Sequence, residues 1–171
     1  MIKLIGAVFI LLATSWAGFE SSKHLRERTK QLRQLKVALA SLEAEIMYGH
    51  TPLDEAAQHL ASQMTKPLSW LFQSFAKKLK EGKLSVKEAW EESINDTWRY
   101  TALKQGEKEV LIQFGETLGQ HDLMSQQKHI QLALVHLKRE EEDAVDTERR
   151  YEKMMKSLGV LSGLLIIILL M

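Results

Sequence analysis

Two charge-free apolar runs, one near each end, restrict the fold of this chain more than any other feature. The first reads LIGAVFILLATSWAGF over residues 4–19, with no charge between Lys3 and Glu20. As a helix, Ile2 to Phe19 would measure about 27 Å at ~1.5 Å per residue, close to the ~30 Å hydrocarbon thickness of a bilayer. The second, LGVLSGLLIIILLM, covers Leu158 to Met171. It reaches only about 21 Å, short for a span unless Met154, Met155 and a snorkelling Lys156 extend it or the bilayer thins.

A cleaved signal peptide competes for the first run, since Ser15-Trp16-Ala17 has a small-x-small pattern. Against it stand Lys23, Arg26, Arg28, Lys30, Arg33 and Lys36, which follow the run directly, resist translocation and mark the cytoplasmic side. The second run agrees: Arg149, Arg150, Lys153 and Lys156 precede it and no charge follows. A buried core helix explains neither flank. The chain therefore reads as an N-terminal transmembrane helix over 1–19, a cytoplasmic helical body over 20–156 and a C-terminal transmembrane helix over 157–171, with both termini outside.

All acidic residues lie between Glu20 and Glu152, and with Lys3 set aside the chain's 22 remaining bases meet 22 acids. A neutral body excludes nucleic acid as the main partner, because that footprint requires a basic excess. No cysteine is present, which removes disulfides, thiolate metal sites and cysteine nucleophiles. Two prolines and nine glycines leave long stretches where helix is the natural outcome.

Within the body, Leu25, Leu32, Leu35, Leu39, Leu42 and Ile46 draw one stripe down a long helix that Gly49 ends. Thr51-Pro52-Leu53-Asp54 supplies a hydroxyl N-cap, a proline at the first helical position and a first-turn acid. That helix carries Leu53, Ala56, Ala57, Leu60, Ala61 and Met64 inward. From Pro67 a third helix turns in Leu68, Leu71, Phe72, Phe75 and Leu79 before Gly82. Ser85-Val86-Lys87-Glu88 is a capping box for a fourth, with Ala89, Trp90, Ile94, Thr97 and Trp98 apolar. A fifth runs to about Leu118 with Val110, Leu111 and Phe114 buried. After Gly119, Asp122 caps the sixth, whose stretch from Lys138 to Lys153 is so charged that it reads as a projecting stalk. Trp70, Trp90, Trp98 and the phenylalanines read as core. No period-2 stretch of useful length occurs, so the fold class is all-α, a six-helix bundle between two membrane helices.

Nothing catalytic emerges. The histidines (24, 50, 59, 121, 129 and 136) form no i,i+4 pair, and HExxH, Walker-type loops and GxSxG are missing. His129 and His136, seven apart, could flank a metal with a carboxylate, but such histidines are more often plain surface. Glu43 and Glu45 point in different directions on a helix. Glu140 to Asp143 reads as a solvated face, and Lys23 to Lys36 as a topology signal with attraction for anionic lipid. No catalytic residue, metal, cofactor or small-molecule substrate is expected.

Tyr48-Gly49-His50-Thr51-Pro52-Leu53-Asp54-Glu55-Ala56, Glu81-Gly82 and Leu111 to Gly119 resemble the cytoplasmic helical domains of F-type platform proteins, inner-membrane components of type II secretion and type IV pilus machines. A fuller resemblance covers the whole chain. The apolar N-terminus, Leu42 to Leu53, Phe114 to Gly119, Ser125 to Ile130 and the ending from Glu152 are similar to the stage III sporulation protein AB family of endospore-forming bacteria. The resemblance implies a place in the mother-cell membrane facing the forespore, within the channel complex that sustains forespore development. Its partners would be other membrane proteins of that complex and a cytoplasmic secretion-type ATPase.

The chain thus reads as a non-catalytic membrane platform. Glu116, without an evident structural duty, and His121 are the candidate partner contacts. Gly49, Pro52, Gly115 and Gly119 read as structural turn residues, with Gly115 allowing close helix packing. The competing reading is a self-associating tethered scaffold or signalling adaptor, in which the heptad-spaced 25–46 stripe seams two copies together.

Overall fold

A computed structural model describes the backbone of residues 2–49, 51–118 and 123–170, with side chains for most residues between 22 and 161. Among these, six α-helices follow one another: α1 (Ile2–Ala44), α2 (Leu53–Gln63), α3 (Leu68–Glu81), α4 (Val86–Trp98), α5 (Gln105–Gly115) and α6 (Leu123–Leu170). One π turn, Glu45–Gly49, continues α1. The chain is all-α, as its periodicity predicts. Among the described residues no helix is long and apolar enough to cross a membrane; most side chains of the two apolar runs lie outside that set.

Local chemistry explains most boundaries. Gly49 is the last residue of the π turn. The start of α2 falls one residue later than Thr51-Pro52 suggests. Pro52 itself is the extended N-cap (φ −54°, ψ 141°), and its carbonyl accepts the first helical bond from Ala56 N–H at 2.9 Å. The Thr51 hydroxyl turns instead to the Glu45 carboxylate, a bond that heads the causes holding that carboxyl below its ordinary range. Gly82 ends α3 in the left-handed region at φ 64°, where a Cβ is disfavoured. The capping box at α4 is fully formed: Ser85 Oγ accepts from Glu88 N–H, and the Glu88 carboxylate accepts from Ser85 N–H at 2.9 Å. α5 stops at Gly115, three residues short of the expected end. Residues 116–118 tighten into i,i−3 bonds there, from Glu116 N–H to Gln113 O and from Leu118 N–H to Gly115 O. His50, Gly119, His121 and Asp122, and with them the expected break and cap before α6, lie outside the described residues.

The helices alternate in direction, and named contacts fix their levels along α1. The α2–α3 connection meets α1 where Gln34 donates to Thr65 Oγ1 at 2.9 Å. The α4–α5 connection meets it where Ala102 N–H donates to Gln31 Oε1 at 2.9 Å. At the opposite end, Glu43 accepts from Gln131 of α6 at 2.8 Å. One end of the bundle therefore lies towards the start of α1, and the other beyond Leu42.

Inside, the predicted stripes converge. Leu32, Leu35, Leu39 and Leu42 of α1 are buried with Leu60, Leu71, Ile94, Leu111 and Leu137 from the other five helices. Because the α1 stripe packs against its own chain, it is not available as a seam for a second copy. Trp90 sits at the centre, fully buried, with its ring at 5.0 Å from Phe75, 5.6 Å from Phe114 and 5.9 Å from Phe72. Trp98 is half-buried. Trp70 is not core: it is 39% exposed. Its position is 200° around α3 from Leu68, on the far side from Leu71, Phe72 and Phe75.

Candidate functional site

The proposed contact at Glu116 stands on the turn that ends α5. Its carboxylate is exposed and accepts from Lys87 Nζ of α4 at 3.1 Å. That bond is the first cause raising the Lys87 ammonium above its ordinary range. Glu91 lies on the other side of Lys87, at 3.8 Å. A groove between α5 and α6 opens beside this group, lined by Val110, Gln113, Thr117, His129, Leu132 and His136. The arrangement is suited to charge recognition at a rigid helix end. His121 lies outside the described residues, so its distance from Glu116 is not part of the geometry.

One residue before Glu116, Gly115 sets the approach of α5 to α4. A Cβ there would lie 2.1 Å from Trp90 Cδ1 and 2.9 Å from its Nε1. The indole has no room to yield, since Nε1–H donates to the Leu111 carbonyl at 2.7 Å and aromatic rings pack around it.

The second charged feature joins the two long helices. The run expected to project as a stalk is one half of a pair with α1. Arg26 donates to Glu152 (3.1 Å), Thr29 Oγ1 to Glu148 (2.9 Å), and Arg33 and Lys36 grip both oxygens of Glu141 (2.8 and 2.7 Å). The helices match base to acid because α6 runs back along α1 with its acids in register with the basic stretch. Glu140 to Asp143 is accordingly no simple solvated face. Within Lys23 to Lys36, four of the six bases are occupied by α6 carboxylates.

At the heart of this pair, Arg28 is 2% and Glu107 0% exposed. Arg28 Nε and Nη2 both donate to Glu107 Oε1, at 2.8 and 2.6 Å. Nη2 also reaches Glu140 (2.8 Å) and Nη1 reaches Asp143 (3.3 Å), both on α6. The second oxygen of Glu107 accepts the backbone N–H of Lys104, so the same carboxylate caps α5. One guanidinium thereby ties together α1, α5 and α6. In the sequence Arg28 reads only as one base of the topology signal and Glu107 carries no reading, although a signal for the pair is present. Arg28 falls in phase with Leu32, Leu35 and Leu39, and Glu107 with Leu111 and Phe114. Opposite charges on the apolar stripes of two helices foretell a buried pair.

Glu141 provides a pH test. Burial raises its carboxyl, but bonds from Lys36 and Arg33 outweigh this and hold it below its ordinary value of 4.5. A carboxyl depressed in the folded state contributes stability above its unfolded pKa, and that contribution is lost as pH falls through the folded value. Thermal melts taken from pH 7 down to 3 are expected to show a loss beginning below about pH 4.5, and Glu141→Gln to flatten part of it. Identical pH profiles for the two proteins would refute the role given to this pair.

The sequence profile of the family described as Stage III sporulation protein AB matches residues 3–171. The chain is similar to Stage III sporulation protein AB of Bacillus subtilis (strain 168), with 57% identity over 171 residues and 100% of both chains covered. It also resembles a solved structure of Stage III sporulation protein AB, with a TM-score of 0.70 and 55% identity over 72% of this chain and 98% of that one.

Proposed function

The chain belongs to the stage III sporulation protein AB family, and from that premise we propose that it is a non-catalytic platform of the mother-cell to forespore channel complex, similar to a type II secretion F protein. In this reading α1 and α6 are the membrane stem, anchored by the apolar runs at 1–19 and 157–171. The body over 20–156 faces the mother-cell cytoplasm, and both termini lie outside, in the membrane that faces the forespore.

One observation carries the reading: α1 and α6 are single continuous helices, zipped by ion pairs, and each runs from the bundle into an apolar terminal run at the same end. Such a pair can hold a rigid body at a fixed place on a membrane. A pre-formed helical surface then docks a partner with little ordering cost. The partners are a cytoplasmic secretion-type ATPase, contacted through Glu116 and His121, and channel membrane proteins along the anchors.

Photoreactive side chains placed at Glu116, His121 and Leu165 in sporulating cells test this. The first two are expected to capture the ATPase and the third membrane partners of the complex. Glu116→Ala is expected to leave helicity and melting unchanged, because its pair with Lys87 is exposed, and to weaken ATPase capture. Capture that persists undiminished, or a fall in melting temperature that accounts for its loss, would defeat the assignment of Glu116.

A further inference from the structure

We propose that the end of the bundle nearest the anchors is a lipid shelf, on which Lys66, Trp70, Arg99 and Tyr100 bind an anionic phospholipid surface. The inference rests on the membrane reading above and goes beyond it, since it assigns a second, peripheral contact to the helical body.

The four residues come from two places distant in sequence: Lys66 and Trp70 from the α2–α3 connection and the first turn of α3, Arg99 and Tyr100 from the α4–α5 connection. Trp70 and Tyr100 stack edge to face at 5.7 Å and are 39% and 52% exposed. Lys66 Nζ lies 5.1 Å over the Trp70 ring. The Arg99 guanidinium lies 4.7 Å over the Tyr100 ring and donates to its hydroxyl at 2.6 Å. Neither base has a carboxylate partner among the described residues, and Asp96, one turn earlier on α4, is held by Lys78 at 2.8 Å. Isolated exposed aromatics are ordinary, but two rings in contact, each with an unneutralised cation above it, form a patch. Aromatic rings with polar tips, combined with Lys and Arg, are the chemistry of the membrane interface.

Position supports the same occupant. Thr65 and Ala102, which flank the patch in sequence, bond to Gln34 and Gln31 of α1. Along the helix axis Gln31 stands about 16 Å from Glu20, the first charge past the apolar run. The headgroup layer takes up roughly 6 Å of that distance. The remaining gap is about one Debye length, and the usual helix tilt of ~20° lowers the overhanging bundle further. The stretch that the sequence suggested for lipid has most of its bases engaged by α6, whereas Lys66 and Arg99 remain available.

The test uses the full chain, which has no native cysteine. A single fluorophore is attached at Gln63→Cys beside the shelf or at Lys83→Cys on the opposite end, in vesicles of neutral phosphatidylcholine or of phosphatidylcholine with phosphatidylglycerol. Each carries a headgroup quencher. Quenching at position 63 is expected to be strong only in anionic vesicles and to fall with salt, while position 83 stays unquenched in both. Lys66→Glu with Arg99→Glu is expected to lower the ratio of docked to undocked chains at least about thirtyfold, each base near such a surface being worth about fivefold. Retention of the chain through a carbonate wash reports separately on the anchors. Equally weak quenching at position 63 in both vesicle types by a retained chain would overturn the shelf alone and leave an acidic protein segment as the ligand this chemistry fits, and equally strong quenching in both would overturn the requirement for anionic lipid. Salt-sensitive binding to anionic vesicles without carbonate resistance would uphold the shelf and overturn the anchors, and no binding to either vesicle before the wash overturns both.

Discussion

Alanine at Arg28 is expected to destabilise the helical body by about 3–5 kcal/mol, the cost of leaving a buried charge without its partner. Glu107, with no exposure at all, would keep only the Lys104 amide. The melting temperature should fall by roughly 10 °C or more in a body of this size. Lysine should rescue only part of the loss, because one ammonium cannot reproduce donors that reach Glu107, Glu140 and Asp143 in three directions. The informative control is the double variant Arg28→Met with Glu107→Leu. Replacing both charges by apolar groups of similar volume is often close to neutral, so the double variant should melt well above the single one. If Arg28→Ala melts like the parent, the pair does not hold α5 against α1 and α6.

The second large effect is expected at Gly115. Alanine there adds one methyl group, yet that group would stand 2.1 Å from the indole of a fully buried tryptophan. Overpacking of a filled core costs about 1–3 kcal/mol, and the upper end is expected because the indole is fixed by its bond to Leu111 and by the rings around it. Trp90→Phe should be harmful alone, through lost volume and a lost hydrogen bond, and less harmful when Gly115→Ala is also present. A double-mutant cycle would read that coupling as a non-additive gain. Strict additivity, or an unchanged melt for Gly115→Ala, would show that α4 and α5 can separate without penalty. Because Glu116 follows Gly115 directly, this close approach also sets where the proposed partner contact stands.

The locations of all six helices were legible before any coordinates, and for a local reason. A period of 3.6 with glycine, proline and hydroxyl punctuation describes interactions within a few residues, so Ser85 and Glu88 announce their own capping box and Gly82 its own stop. Errors of one to three residues at Pro52 and Gly115 came from competition at helix ends, where Thr51 preferred Glu45 to its own backbone and the last turn of α5 tightened. Trp70 reads as core by its size, but its phase on α3 sets it outside the stripe, and it is exposed.

What the sequence determined alone is the helical content, the inward face of each helix and the neutral, acid-matched body between two apolar runs, since these follow from composition and from contacts along one helix. Only the tertiary structure decided which charges meet. Arg28 and Glu107 are 79 residues apart and Arg33 and Glu141 are 108 apart. Their pairing depends on how far one helix slides and turns against another, a register set by packing around Trp90 and the leucine stripes. The same register turned a charged run that looked like a lone stalk into half of an ion-paired stem, and it brought Lys66 and Trp70, at the start of α3, together with Arg99 and Tyr100, just past α4, at one end of the bundle.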